Sequence, residues 1–345
     1  MSNRRIELVD EEEFVVLVNR ISLLDSMSFD FSIIISEEII PHALGSGGLD
    51  TSGNSLIRMD PLLGTFGDDF GALISGLVRC YPAVVDATGY TYTVAHIIED
   101  GDDVEKLYKL SPSFQIVWSI PLWREFWHSA KSILIDSTRG HVVVIGSNHL
   151  TYDSTGYCNM YVLNTSDGSE VFKNYSVDDD TLTDLYSIDK DSSGYYYVGG
   201  VAKSAQFGSE STYAVWKIDP DNLYESIWGW TGGYNILTVS VHSTNGVAVG
   251  GISANLVILD YSGEVLLNVE TLITTHMYGM KWHTDGNVLV ARRYSFGASC
   301  GRMLSKYDSS TGDFIWSYSI SGLTTSILNM AVNNTTGVIY VSGGG

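Results

Sequence analysis

Cysteine, proline and positive charge are scarce in this chain, and each shortage narrows what it can be. Only 3 cysteines occur in 345 residues, at Cys80, Cys158 and Cys300. An odd number so widely spaced makes neither a disulfide framework nor a zinc site. With 6 prolines and 44% hydrophobic residues, the composition is that of a folding chain rather than a disordered one. Nineteen basic residues stand against 40 acidic ones, a net charge of −21, which opposes long-range attraction to nucleic acid or to an anionic membrane. No apolar run approaches the ~18 residues of a membrane-spanning helix. Arg4 and Arg5 are followed by Glu11, Glu12 and Glu13, and the apolar stretch Phe14 to Val18 is too short for a secretory signal. The expectation is synthesis in a reducing cytoplasm without a signal peptide, with neither nucleic acid nor membrane as partner.

What the chain has is a repeat. Turn glycines recur at Gly89, Gly140, Gly194, Gly246, Gly286 and Gly337, spaced 51, 54, 52, 40 and 51 residues apart. A second marker, an apolar run ending in Asp, Asn or Ser, closes at Asp60, Ser111, Asn164, Asp219, Asp260 and Asp308. A period of roughly 40 to 50 residues built from strands alone points to a β-propeller of four-stranded blades. In the third copy, Leu185 to Ile188 and Tyr195 to Val198 flank the turn at Gly194 and read as the inner strands. Tyr213 to Ile218 and Ser226 to Trp230 read as the outer ones, rich in the β-branched and aromatic residues that suit a pleated surface. An aromatic recurs in the outermost strand at Trp118, Phe172, Trp228 and Trp316; such rings pack blade against blade.

The chain stops after two strands of the sixth copy, Ile327 to Val332 and Val338 to Val341. Half a blade would leave an open edge. Residues 54 to 74 follow the outer-strand pattern with no inner pair before them, so they are expected to complete the last blade. The expected fold is all-β, a six-bladed propeller over residues 54–345, closed by N-terminal outer strands. Residues 1–53 form an N-terminal extension and linker.

The segment Asp191 to Gly200 (DSSGYYYVGG), with Tyr213 to Asp219 (YAVWKID) and Ile227 to Gly233 (IWGWTGG), resembles the bacterial SBBP-type β-propeller repeat and, more loosely, the quinoprotein-type repeat. Tyr307 to Trp316 repeats the second half of the pattern. The resemblance implies a propeller and no particular activity, because such repeats scaffold many functions.

Catalytic signatures are missing. There is no G-x-S-x-G elbow, P-loop or nucleotide fingerprint. His242 and His283 stand just before turn glycines, where other copies carry Asp86, Asp136, Asp191 and Asn333, and so read as polar turn residues. The other histidines lack metal-ligand spacing. The acidic runs 99–103 and 178–180 lack the alternation of a calcium loop. The chain is therefore read as a non-enzymatic protein with no catalytic residues, metal or cofactor.

Two surfaces stand out as binding candidates. The connection Pro121 to Ser129 carries Trp123, Arg124, Trp127 and His128, and Tyr152, Tyr157, Phe207, Tyr294 and Phe296 are expected to occupy loops on the same face. Aromatic rings beside hydrogen-bonding groups suit either sugar stacking or a protein contact. In the extension, Phe29, Phe31, Ile33, Ile34 and Ile35 belong to an alternating apolar segment on a Gly/Ser-rich tether, which would dock by strand addition on a neighbouring subunit or fold back on its own propeller. An acidic, Tyr-, Ser- and Gly-rich surface made without export suits a bacteriophage virion protein exposed on the particle, in contact with other structural subunits and, as an alternative, with host-surface glycan. A secreted carbohydrate-binding propeller is the runner-up, and a glycoside-active hydrolase comes third.

Overall fold

The computed structural model describes residues 4–8, 14–18, 30–35, 57–60, 65–69, 77–113, 115–124, 128–148, 157–174, 182–202, 212–222, 224–232, 235–252, 255–269, 276–293, 304–318, 326–333 and 337–344. Every regular element among them is a strand. The N-terminal region contributes β1 (Arg4–Leu8), β2 (Phe14–Val18), β3 (Asp30–Ile35), β4 (Ile57–Asp60) and β5 (Thr65–Asp69). Four-strand groups follow: β6 (Leu77–Val85), β7 (Thr91–Glu99), β8 (Asp102–Leu110) and β9 (Ile116–Arg124); then β10 (His128–Asp136), β11 (His141–Asn148), β12 (Tyr157–Asn164) and β13 (Glu170–Asn174). Next come β14 (Leu182–Lys190), β15 (Tyr196–Ala202), β16 (Thr212–Asp219) and β17 (Glu225–Gly232), then β18 (Asn235–His242), β19 (Gly246–Ile252), β20 (Leu256–Leu259) and β21 (Val265–Val269). The chain finishes with β22 (His276–Trp282), β23 (Val288–Arg293), β24 (Leu304–Tyr307), β25 (Phe314–Tyr318), β26 (Ser326–Val332) and β27 (Ile339–Gly344).

These strands fall into two compact units, Gly76–Thr274 and the combination of Met1–Ser75 with Thr275–Gly345. The larger unit is four antiparallel meanders, β6–β9, β10–β13, β14–β17 and β18–β21. The second and third share one backbone pairing, Ser147 with Asp184. Their second strands are unbroken apolar runs because both faces are covered, unlike the alternating strands of a sheet with one wet face. In β11, Val142 and Val144 pack with Tyr92, Val94, Leu107, Tyr161 and Leu163 of one core cluster. Val143 and Ile145 point the other way, among Leu185, Tyr196, Val198, Trp216 and Tyr224. Tyr197, Val215, Val239, Val247, Val249 and Leu259 make the third such layer. The core of this unit is thus stacked between sheets, each layer filled by alternate residues of two neighbouring meanders.

In the smaller unit β22–β25 form a fifth meander, and the C-terminal hairpin β26–β27 is extended in the order β26-β27-β3-β2-β1. The register runs from Ile339 opposite Ile35 to Gly344 opposite Asp30. This corrects the expectation for residues 54 to 74. Their two strands do form a hairpin, with Asp60 opposite Thr65, but among the described residues β4 and β5 make a two-stranded sheet of their own. The open edge of β27 is instead covered by β3, which carries Phe31, Ile33, Ile34 and Ile35 within this same chain. An apolar strand of the same chain thus satisfies the edge without the entropy cost of association. Within the expected extension 1–53, β3 belongs to the C-terminal sheet.

Candidate functional site

Polar side chains in this protein concentrate where one meander meets the next, and the same device is built twice. In the turn between the first two strands, Asp86 Oδ1 accepts the backbone N–H groups of Thr88 at 2.9 Å and Tyr90 at 3.0 Å, while Oδ2 accepts from the Tyr92 hydroxyl at 3.3 Å. Asp191 does the same with Ser193, Tyr195 and the Tyr197 hydroxyl. Burial opposes the Asp86 charge, but these hydrogen bonds outweigh it and hold the carboxyl below its ordinary range. The Tyr92 phenol is pushed up to about 12 by burial and by the Asp86 charge.

A lysine and a tryptophan then reach across to the next meander. Lys109 Nζ lies 4.5 Å above the Tyr90 ring and donates to the Thr165 carbonyl at 2.7 Å, which Trp118 Nε1 also approaches at 3.4 Å. One repeat pair later, Lys217 lies 4.4 Å above Tyr195 and donates to the Tyr261 carbonyl at 3.2 Å, joined there by Trp228 Nε1 at 3.0 Å. Two of the recurrent outer-strand aromatics, Trp118 and Trp228, are therefore clasps as well as packing. The turn they grip must come close: at Gly263, whose φ is +93°, a Cβ would meet Trp228 Cε3 at 3.0 Å, so glycine answers both the backbone and the space. Replacing Trp228 by Phe keeps the ring and deletes one hydrogen bond, while Lys217 still satisfies the carbonyl. The expected loss is about 1 kcal/mol, read as a lower urea midpoint with unchanged slope; an unaltered midpoint would show the clasp to be idle.

Between the second and third meanders the device changes. Asp136, 0% exposed, accepts from Arg139 Nη1 at 2.7 Å, the Tyr196 hydroxyl at 2.9 Å, Lys190 Nζ at 3.0 Å and the Thr138 N–H at 3.1 Å. Arg139 continues the network to Asp221, with Nε at 2.8 Å and Nη2 at 2.5 Å from its two oxygens, and to the Gly194 carbonyl at 3.2 Å. Phe172 stacks on Tyr224 alongside, 4.4 Å between centroids. Burial works against ionisation of Asp136, yet the bonds from Arg139, Lys190 and Tyr196 hold its pKa far below the ordinary carboxylate value. Burial foremost, with the Asp136 charge added, raises the Tyr196 phenol well above its ordinary range.

His242 takes the turn role that Asp has elsewhere: its Nδ1 lies 3.2 Å from the N–H groups of both Thr244 and Asn245. Burial lowers its pKa, keeping the ring in the neutral form that can accept. His283 is used differently, bridging Asp285 Oδ1 at 2.9 Å and the Gly337 carbonyl at 3.2 Å, with Lys306 on the other Asp285 oxygen at 2.7 Å. Among the described residues, no group of three or more His, Cys, Asp or Glu side chains is placed to hold a metal ion.

The aromatic loop face is only partly described. Trp123 and Arg124 end β9, opposite Glu105 and Val104 of β8. His128 begins β10 and Tyr157 begins β12, each opposite Asn148 on one side of β11. The structure thus brings His128 and Tyr157 to the same end of one sheet. Trp127, Tyr152, Phe207, Tyr294 and Phe296 lie outside the described residues, as does Phe29 of the extension. A feature that the repeat pattern did not single out is an exposed aliphatic residue at one recurring position of the outermost strands. Val117, Val171, Ile227, Leu266 and Ile315, one on each of five outermost strands, are between 42% and 60% exposed.

No protein-family model matches the chain, so the resemblance to SBBP-type repeats finds no support at that level. No curated protein matches it in sequence. Among solved structures, a streptogramin B lyase matches with a TM-score of 0.61 at 10% identity, covering 96% of this chain and 98% of that one. The WD40 β-propeller domain of Doa1 matches with a TM-score of 0.56 at 10% identity, over 93% and 98% of the two chains. The WD40 domain of Neurospora crassa Pan2 gives 0.52 at 10%, over 76% and 88%. At such identities the likeness speaks for fold alone. The chain is a β-propeller protein, all-β in its described residues and built of repeated antiparallel sheets.

Proposed function

We propose that the chain is a non-enzymatic structural propeller that contacts other protein subunits through the outer rims of its blades, as a component of a phage particle. In this reading six sheets close one ring, with β3 and β2 standing as the outer strands of the last blade. The observation that carries it is the row of exposed aliphatic side chains on the outermost strands. Single exposed apolar residues are ordinary. Five at the same position of successive repeats, each on the last strand of its meander, form a surface that favours protein contact. The strong acidic balance, a net charge of −21, is compatible with a virion protein and adds a weaker support.

Ile227→Lys combined with Leu266→Lys tests this. Both positions are exposed, so the double variant should fold with a melting temperature within a few degrees of the parent. It should fail to incorporate into particles assembled in its presence, or to co-sediment with the subunits the parent binds. Incorporation at the parental level would overturn the rim as a contact surface. Absence of the parent protein from purified particles, by mass spectrometry, would overturn the virion assignment.

A further inference from the structure

The smaller unit holds a buried cation with unfilled hydrogen-bonding capacity. Arg292, the penultimate residue of β23, is 2% exposed. Its Nη2 donates to the Tyr307 hydroxyl at 2.8 Å, and its guanidinium carbon lies 5.7 Å from the centre of the Tyr307 ring. Nε and Nη1 have no hydrogen-bond partner. Those two nitrogens carry three of the five N–H bonds of a guanidinium. The Ser305 hydroxyl is also buried without a partner. Pairing of Val288 with Tyr307 and of Val290 with Ser305, together with the alternation along β23, puts Arg292, Ser305 and Tyr307 on one face of the sheet.

This arrangement is hard to understand as structure alone. A buried guanidinium is retained when it is paired, and an unpaired one is strongly disfavoured. The ring and hydroxyl of Tyr307 compensate in part. Among the described residues no acidic side chain supplies an acceptor to these two nitrogens. The Asp285 carboxylate is engaged with Lys306 and His283, and Lys306, adjacent to Ser305 in β24, points to the opposite face. What would complete the cluster is a small group with several acceptor oxygens and a negative charge. We propose that Arg292, Ser305 and Tyr307 form a binding site for a small oxyanion, a carboxylate or a phosphate, at the C-terminal end of β23. Arg292 supplies charge and at least three N–H donors, Ser305 one hydroxyl donor, and Tyr307 holds the guanidinium in place. The site is independent of the rim contacts proposed above.

Calorimetry and thermal unfolding in chloride buffer, with sodium phosphate or sodium acetate added at constant ionic strength, test it on the full chain. Saturable heat and a saturable rise in melting temperature with at least one of these probes are expected, since a ligand that binds only the native state stabilises it. A response to phosphate alone assigns a tetrahedral oxyanion, and one to acetate alone a carboxylate. Arg292→Met should abolish the response and, in chloride buffer, melt no lower than the parent, because it removes an unpaired buried charge and keeps the volume. Ser305→Ala, which leaves the cation in place, should weaken the affinity several-fold without abolishing it. The proposal is overturned if neither probe gives saturable binding to the parent, if Arg292→Met binds as the parent does, or if Arg292→Met is strongly destabilised in chloride buffer. The last result would show that the guanidinium is satisfied within the fold.

Discussion

Deleting residues 1–36 should abolish cooperative folding, whereas deleting residues 1–10 should leave it intact. The first truncation removes β1, β2 and β3, and with them the strand that pairs with β27 from Ile339 to Gly344. A two-stranded hairpin is marginal by itself. Left with a bare edge bearing Tyr340 and Val341, the C-terminal sheet would recruit strands from other molecules, and the truncated protein should aggregate or melt broadly. The second truncation removes only β1, the outermost strand, whose sequence RRIEL is itself charged. A synthetic peptide spanning residues 28–40, added during refolding, should restore a single transition to the long truncation by supplying the missing strand in trans. Equal melting curves for the long truncation and the parent would mean that β3 contributes nothing to the last sheet.

The placement of that strand shows where the sequence was legible and where it was not. Turn chemistry is local, so the glycines at Gly89, Gly194 and Gly286, with φ of +86°, +91° and +83°, located their hairpins. The exchange of Asp for His at position 242 was readable for the same reason. The strands of the third meander also fell where alternation and β-branched residues put them. Which edge a hairpin joins is a non-local matter. Residues 54 to 74 carried the right local signals and do form a hairpin, but nothing in them says what lies beside it. The alternating run that became β3 had an equal claim on the open edge and lies against it. The aromatic loop face was chosen on composition alone, and the side chains that would test it are not among those described. Polar clusters escaped for the same physical reason as the strand pairing. Asp136 looks like any turn aspartate, because the Lys190 and Tyr196 that bury it are 54 and 60 residues away. Arg292 looks like one arginine among several, because its unfilled capacity exists only in the fold.

Asp136 is accordingly the single side chain whose loss should cost the larger unit most. Truncation to Ala would leave Lys190 and Arg139 without their buried counter-ion and the Tyr196 hydroxyl without its acceptor. Breaking a buried pair by removing one partner costs roughly 3–5 kcal/mol, a large part of the ~5–15 kcal/mol that holds an ordinary domain together. Asp136→Asn keeps the shape and one acceptor but not the charge, so most of that loss should persist. Asp221→Ala, at the 72% exposed end of the same network, should cost no more than about 1 kcal/mol. The pH dependence has a definite sign. The folded pKa of Asp136 lies below the unfolded value of about 3.8, so the folded state holds its carboxylate ionised where the unfolded chain has begun to take up protons. The contribution is therefore complete above about pH 4 and is lost progressively as the pH falls through the folded value. Urea unfolding of the parent and of Asp136→Asn at neutral pH and at successively lower pH should show two curves that approach each other in acid. Parallel curves, or an Asp136→Ala variant as stable as Asp221→Ala, would remove the network from the forces that join these two sheets.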